Sequence, residues 1–160
     1  MMNEFRPLVR KKQELDRDTC IALLKSEKRG VLSVIGDNGY PYGIPHNHWY
    51  NEEDGKIYFH SGRSGHKIDA LKADQKVSYC VYEGKPTEGE WYLTFRSVIV
   101  FGTVEFIEDT ETIYDISRKL SYQFTNDSAY IEEEIRKSGP GTAMIALTPE
   151  HISGKLVRER

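Results

Sequence analysis

The longest uninterrupted β-rich stretch constrains the fold more than any other feature of the chain. It covers residues 91–107 and reads WYLTFRSVIVFGTVEFI. β-branched and aromatic residues favour strands, and Gly102 in the middle of the stretch indicates a bulge or a sharp bend. A bent strand of this length fits a barrel better than a flat sheet, so the stretch predicts a β-barrel architecture.

Shorter strand patterns flank this stretch. Asp37-Asn38-Gly39 is a turn signal between two of them, which predicts an antiparallel hairpin. Polar turns are expected at residues 51–55 and 84–89. The other predicted strands cover residues 31–35, 42–50, 56–59, 76–83 and 143–147, with residues 152–157 as an extension of the last. The chain therefore predicts five or six strands.

Helical periodicity occurs at three places outside the β-rich stretches. Asp16 or Asp18 is expected to cap a short helix that Gly30 ends, and a second short helix follows residue 64. Asp109 is expected to begin a helical segment over residues 109–138. Residues 1–15 are expected to form an N-terminal arm. The predicted fold is a single α+β domain over residues 1–160, mainly β, built on an antiparallel barrel with flanking helices.

Composition limits the classes of function. A formal net charge of −3 gives no general attraction to nucleic acid, and the sequence has no long apolar run that would span a membrane. The N-terminus lacks the apolar core of a signal peptide, so we expect a cytoplasmic protein. Cys20 and Cys80 are too few for a metal site and are expected to be small buried hydrophobic side chains.

The stretch YFHSGRSGHKIDAL, residues 58–71, is the strongest candidate for a binding site. Gly62 and Gly65 allow positive φ and a close approach of the backbone to a ligand. Hydroxyls and cations lie between and after them, and a helix beginning near residue 64 or 65 would direct its N–H groups at an anion. These features predict a phosphate-binding corner, although the same residues also fit a solvated strand-to-helix loop.

Four blocks of the chain resemble the pyridoxamine 5′-phosphate oxidase-like family, the flavin mononucleotide (FMN)-binding split barrels. The resemblance is closest to the nitroimidazole-resistance-type branch. The blocks are GVLSVIGDNGYPYGIPHNHWY, GKIYFHSGRSGHKIDAL, KVSYCV and FRSVIVFGTVEFIED. Their order and spacing cover most of the first two-thirds of the chain, and the last third is less informative.

The resemblance implies a set of FMN contacts. The segment HSGRSGHK matches the family's flavin-phosphate segment, with His60 near the ribityl chain. The phosphate ligands that the resemblance implies are Ser61, Arg63, His66 and Lys67. The strand around residues 45–48 matches the one along the isoalloxazine ring, and the strand at residues 96–98 matches one that completes the site. Family members are usually homodimers with flavin at the subunit interface. The implied FMN-binding residues are Pro45, His46, Asn47, His48, His60, Ser61, Arg63, Gly65, His66, Lys67, Arg96, Ser97 and Val98.

His46 and His48 depart from the family pattern, which commonly has an aliphatic and an aromatic residue there. At i and i+2 of one strand they would point to the same face. A metal site would need a third ligand such as His60 or His151, and no metal site is assigned. The two histidines are the candidate catalytic residues, as proton donors beside the flavin. A half-buried histidine satisfied by backbone groups is the structural alternative.

The resemblance implies a flavin-dependent oxidoreductase that reduces a small organic substrate, such as a nitro compound, with electrons from an external donor. The chain has no GxGxxG unit for a resident nicotinamide cofactor, so such a donor would bind transiently. The alternative is a non-catalytic flavin- or haem-binding or sensing protein on the same barrel. Haem would require an axial ligand, for which His46, His48 or His151 is available.

Overall fold

The computed structural model describes residues 4–86 and 88–159 and contains one seven-stranded antiparallel sheet with four flanking α-helices. The first three residues of the predicted arm and Thr87 of the predicted break lie outside the described residues. The strands are β1 (Arg29–Ile35), β2 (Pro41–Asn47), β3 (Trp49–Tyr50), β4 (Ile57–Gly62), β5 (Lys76–Pro86), β6 (Leu93–Ile107) and β7 (Thr142–Arg158). The helices are α1 (Arg17–Ser26), α2 (His66–Ala73), α3 (Thr110–Tyr122) and α4 (Ser128–Ser138).

The sheet curls into a half-barrel, which confirms the predicted α+β, mainly β, split-barrel fold. Its strand order is β2-β1-β5-β6-β7-β4-β3. Strands β2 and β4 are far apart in this order, yet the rings of His46 and Phe59 meet edge to face with centroids 5.4 Å apart. Their contact shows that the two sides of the sheet approach each other and enclose a core.

The bend of β6 lies at the predicted glycine. The register with β7 shifts between Phe101 and Gly102. A Cβ atom on Gly102 would lie 2.2 Å from the carbonyl oxygen of Thr148, so a side chain has no room there. Gly102 therefore lets two long strands cross closely while the sheet changes direction.

Two apolar clusters hold the layers together. The main cluster fills the half-barrel, where Phe59 and Tyr79 are its largest fully buried side chains, and it receives apolar faces of α1 and α2. A smaller cluster lies on the other face of β4 and β7, where Tyr58 and Met144 meet Ile116 of α3. Because successive strand residues face opposite sides, β4 joins both clusters.

Aspartate caps begin three of the helices. Asp16 accepts a hydrogen bond from the Thr19 N–H, and Asp109 accepts one from the Thr112 N–H, as the sequence predicts. Asp127 caps α4 in the same way. The prediction that Gly30 ends α1 is wrong. The helix ends at Ser26, and Gly30 belongs to β1, where an added Cβ would lie 2.5 Å from the carbonyl oxygen of Cys80.

The predicted strand over residues 42–50 is two strands, which explains why the sheet has seven strands rather than five or six. Strand β2 pairs with β1 as far as Asn47. Trp49 and Tyr50 then pair with β4 on the other side of the sheet. His48 lies at the break, so the expectation that it shares a strand face with His46 is wrong.

The N-terminal arm docks on the outer surface of the sheet through Phe5, whose ring stacks on His151 with centroids 4.6 Å apart. Both cysteines are free; Cys20 is buried and Cys80 is half-buried. Among residues 4–86 and 88–159, no helix has the length and apolar character needed to cross a membrane.

Candidate functional site

The β4–α2 corner has part of the backbone shape that the sequence predicts. Gly65 is the N-cap of α2 with φ of 119°, a conformation that favours glycine. No described side chain caps the helix there, and a Cβ at Gly62 or Gly65 would meet no atom of the described residues within 4 Å. Gly62 itself ends β4 without positive φ, contrary to the expectation for both glycines. The helix N-terminus is therefore open to an anion.

Lys67, in the first turn of α2, has no carboxylate partner among the described residues. Its Nζ lies 2.9 Å from His46 Nε2. The side chain is half-buried, and desolvation lowers its pKa. A cation that is partly removed from water and faces only a neutral acceptor is electrostatically unsatisfied, so an anion at this place would be stabilised.

His46 is a neutral imidazole with a defined tautomer. Its Nδ1 lies 3.0 Å from the carbonyl oxygen of Asn47, which can only accept, so Nδ1 carries the proton. Its Nε2 then accepts from Lys67. Desolvation and the nearby charge of Lys67 lower the pKa of His46 to about 4. At neutral pH His46 thus holds Lys67 in place and is not an acid.

Of the remaining corner residues, some have side chains open to solvent or a ligand, and His66 contacts neighbouring residues. Arg63 is exposed and forms no ion pair within the described part of the chain, and Ser61 is half-buried at the end of β4. His66 turns away from the loop. Its ring stacks on Tyr42 at 4.3 Å, and its Nε2 accepts the Asp37 N–H at 3.0 Å.

Two cavities open beside the corner and share Asn47 and His60. The smaller, about 320 Å³, is lined by Arg29, Pro45, His46 and the two shared residues. The larger, about 340 Å³, lies between the sheet and helices α3 and α4. We call these two cavities the shared cleft. His60 is exposed in this cleft, and desolvation by the surrounding protein, with the charge of Lys67, lowers its pKa.

His48 has a different environment from His46. It is fully buried, its Nε2 lies 2.7 Å from the carbonyl oxygen of Leu24, and its Nδ1 lies 2.6 Å from the Tyr79 hydroxyl. The first contact requires a proton on Nε2, so Nδ1 accepts from Tyr79. Desolvation lowers the pKa of His48. Both ring nitrogens are used inside the protein, which is the arrangement of the structural alternative.

The third predicted segment does not meet the corner within one chain. Arg96 forms an ion pair with Glu83 on the neighbouring strand, Ser97 is half-buried, and Val98 is fully buried in the main core. The structure thus brings together residues from β2, β4 and α2, and leaves those of β6 on another part of the sheet.

Two features of the site have no signal in the sequence pattern. Arg29, at the start of β1, lines the smaller cavity, and its guanidinium carbon lies 5.2 Å from the centre of the Phe124 ring. Phe124 follows α3 and lines the larger cavity. These residues are distant in sequence, so no local motif predicts their contact. No group of three potential metal ligands occurs among the described residues.

Comparison with known families identifies the chain. The family model described as pyridoxamine 5′-phosphate oxidase matches residues 16–156, nearly the whole sequence. The chain belongs to this family. The match confirms the family resemblance and the split barrel and includes every residue of the corner and of the shared cleft. A comparison with curated proteins gives no match.

Solved structures share the fold at low sequence identity. A candidate 5-nitroimidazole antibiotic resistance protein from Bacteroides thetaiotaomicron is 22% identical with a TM-score of 0.74, covering 91% of this chain and 87% of that one. An FAD- and haem-binding protein from Mycobacterium smegmatis is 22% identical with a TM-score of 0.72, covering 91% and 73%. An FAD-binding protein from Mesorhizobium loti is 21% identical with a TM-score of 0.65, covering 91% and 97%.

Proposed function

We propose that this protein binds a flavin, with a phosphate of the cofactor in the β4–α2 corner. The observation that carries the proposal is Lys67, a half-buried ammonium whose contact is the neutral His46 rather than a carboxylate. A phosphate would supply the missing negative charge. Arg63, exposed and unpaired among the described residues, lies in the same loop and would supply a second cation.

The corner fits a terminal phosphate such as that of FMN. The open backbone at Gly65 leaves room for phosphate oxygens, and the uncapped N–H groups of α2 can donate to them. Two solved structures of the same fold are described as FAD-binding proteins. We propose FMN because one open corner with two cations matches one phosphomonoester, and a titration with both flavins tests this choice.

The ring of the flavin would lie along the end of β2, beside Pro45, His46 and Asn47. These residues line the smaller cavity, directly next to the corner. When Lys67 turns to a phosphate, His46 Nε2 loses its donor and becomes an acceptor facing the cleft. The bound flavin supplies the redox chemistry, and the protein positions it, excludes water and provides hydrogen bonds.

We further propose an oxidoreductase that passes electrons from an external donor to a small organic molecule in the shared cleft. The family membership and the cleft next to the corner support this role. A nitro compound is one such substrate, since the Bacteroides neighbour of the same fold is a candidate nitroimidazole resistance protein.

The complete site would require two copies of the chain. Arg96 and Ser97 lie away from the corner, so in this proposal they reach the flavin of a partner subunit. The outer face of β5 and β6 carries exposed apolar side chains, including Tyr82 and Ile99, which would suit a homodimer contact.

Haem binding without turnover is the second candidate, because one solved neighbour is described as binding both FAD and haem. The side chains favour flavin. His48 uses both ring nitrogens inside the core, His46 faces Lys67, and His151 stacks under the arm residue Phe5. Each of these three histidines would have to leave its present arrangement to bind haem iron.

The test begins with the absorption spectrum of the purified protein and a fluorescence titration with FMN, FAD and riboflavin. We expect flavin bands or stoichiometric FMN binding, and a dimer by analytical ultracentrifugation. Lys67→Ala and Arg63→Ala should each weaken FMN binding about tenfold, since a hydrogen bond to a charged group contributes about 1.5–3 kcal/mol.

Lys76→Ala is the matched control, because Lys76 is an exposed lysine at the start of β5, beyond the end of the same helix. It should bind FMN like the wild type. A protein that binds no flavin, or an intense haem band in its spectrum, would contradict the proposal. Unchanged FMN affinity in Lys67→Ala would show that the phosphate lies elsewhere.

A further inference from the structure

The shared cleft has an uneven distribution of charge. Arg29 lines the smaller cavity, and none of the described residues that line this cavity is acidic. His46 has a pKa of about 4, and the pKa of His60 is also lowered, so neither adds a cation near neutral pH. Arg29 is therefore the permanent positive charge of the smaller cavity.

Arg29 is positioned without being neutralised. Its guanidinium carbon lies 5.2 Å from the centre of the Phe124 ring, a cation–π contact. It forms no ion pair with any described residue. Its place opposite Asn47 in the β1–β2 ladder brings it to the residue that both cavities share. The aromatic contact orients the planar guanidinium and leaves its hydrogen-bond donors for a ligand.

The larger cavity suits a flat apolar body. Phe124 and Tyr130 contribute aromatic rings to its wall, and apolar side chains of α3 and α4 contribute the rest of the surface. Hydroxyls from the helices and from β7 offer a few polar contacts, and Glu134 is the one acidic residue among the described lining residues. A volume of about 340 Å³ falls in the range of small-molecule pockets.

We infer that the shared cleft binds a small aromatic carboxylate, with Arg29 binding the carboxylate and the α3–α4 wall holding the ring. A carboxylate matches one guanidinium in a bidentate pair, whereas a phosphate dianion is better matched by the two cations of the corner. The inference rests on the proposed function, because it takes small aromatic carboxylates as the substrate class of the flavin site. It makes Arg29 a specificity residue that no motif indicates.

The experiment compares benzoate with its neutral isostere benzamide and with the cation benzylamine. Each is titrated into flavin-loaded protein by calorimetry and by the perturbation of the flavin absorption spectrum. We expect benzoate to bind at least about tenfold more tightly than benzamide, as a charge-assisted pair predicts. Arg29→Gln should remove most of this preference.

Lys28→Gln is the matched control. Lys28 also contacts the Phe124 ring, with its Nζ 5.5 Å from the ring centre, but it does not line either cavity. It should keep the preference for benzoate. If Arg29→Gln does not fold, Arg29→Lys tests the same point, because it keeps the charge and loses the bidentate geometry, and its preference for benzoate should fall several-fold.

Equal binding of benzoate and benzamide, a preference for benzylamine, or no benzoate binding at millimolar concentration would overturn the inference. So would an unchanged preference in the Arg29 variants. Failure of the proposed function has a different signature. A protein that binds no flavin can still be titrated with benzoate by calorimetry. The benzoate affinity of Arg29→Gln then tests the proposed carboxylate site independently of flavin binding.

Discussion

The β4–α2 corner and the buried site around His48 show two opposite ways of treating polar groups. At His48, three groups from distant parts of the chain satisfy one another: the imidazole, the Tyr79 hydroxyl and the Leu24 carbonyl. At the corner, Lys67 and Arg63 lack carboxylate partners among the described residues. Polar groups satisfied within the chain stabilise the fold, whereas those left unsatisfied are suited to a ligand.

The largest expected effect is on stability, at the buried site. His48→Ala should lower the free energy of unfolding by about 3 kcal/mol, because it leaves the Leu24 carbonyl unpaired, removes the nearer partner of the Tyr79 hydroxyl and creates a cavity. Urea denaturation measures the change. His46→Ala, two residues away and half-buried, is the matched control and should cost about 1 kcal/mol or less. Equal losses would remove the distinction between the two regions.

The pH dependence of stability tests the environment of His46 beside the corner. The pKa of His46 is lowered from 6.5 to about 4, so the unfolded chain binds more protons between these values. The stabilising contribution is complete above pH 6.5 and is lost as the pH falls toward 4. His46→Gln should reduce this loss by an amount on the order of 2 kcal/mol, allowing for solvent screening at a half-buried side chain. A variant with the wild-type pH profile between pH 6.5 and 4 would contradict the assigned environment of His46.

Tyr79→Phe tests the buried site with a smaller change. The Tyr79 hydroxyl donates to His48 Nδ1 and also lies 3.3 Å from the carbonyl oxygen of His46, and phenylalanine removes the hydroxyl while it keeps the ring in the core. We expect a loss of about 1.5 kcal/mol, measured by urea denaturation, because a buried acceptor is left unpaired. Flavin affinity should stay at the wild-type value. A large loss of flavin binding with little loss of stability would place Tyr79 in the ligand site instead.

The smallest expected effect has the opposite sign. Lys67→Met keeps the length of the side chain and removes a desolvated charge, so the flavin-free protein should be as stable as the wild type or more stable by about 0.5 kcal/mol. Thermal unfolding without and with FMN measures it, and FMN should stabilise the wild type more than the variant. A clear loss of stability in the flavin-free variant would mean that Lys67 serves the fold.

Local chemistry in the sequence predicts much of this structure. The aspartate caps of α1 and α3, the Asn38-Gly39 turn and the bend at Gly102 each depend on near neighbours. The sequence places Gly30 at a helix end, but glycine also occurs in strands where another chain segment approaches closely. Such an approach depends on tertiary packing, which the local sequence does not show.

The same difference between local and distant residues decides which parts of the site the sequence predicts. The corner is one contiguous segment, so its glycine and its cations are visible in the sequence. The burial of His48 depends on Leu24 and Tyr79, and the position of Arg29 depends on Phe124, all of which are far away along the chain. The break between β2 and β3 is set by pairing with β4, and an alternating pattern alone cannot locate it.

The ratio of FMN affinity to riboflavin affinity, measured in the wild type and in Lys67→Ala, tests the central claim most directly. The two ligands differ by the phosphate alone, so the ratio reports the phosphate contact and cancels the ring contacts. The account predicts a large preference for FMN in the wild type that falls about tenfold in the variant, with riboflavin affinity unchanged. Equal affinity of the wild type for the two ligands, or the same preference in the variant, would contradict it.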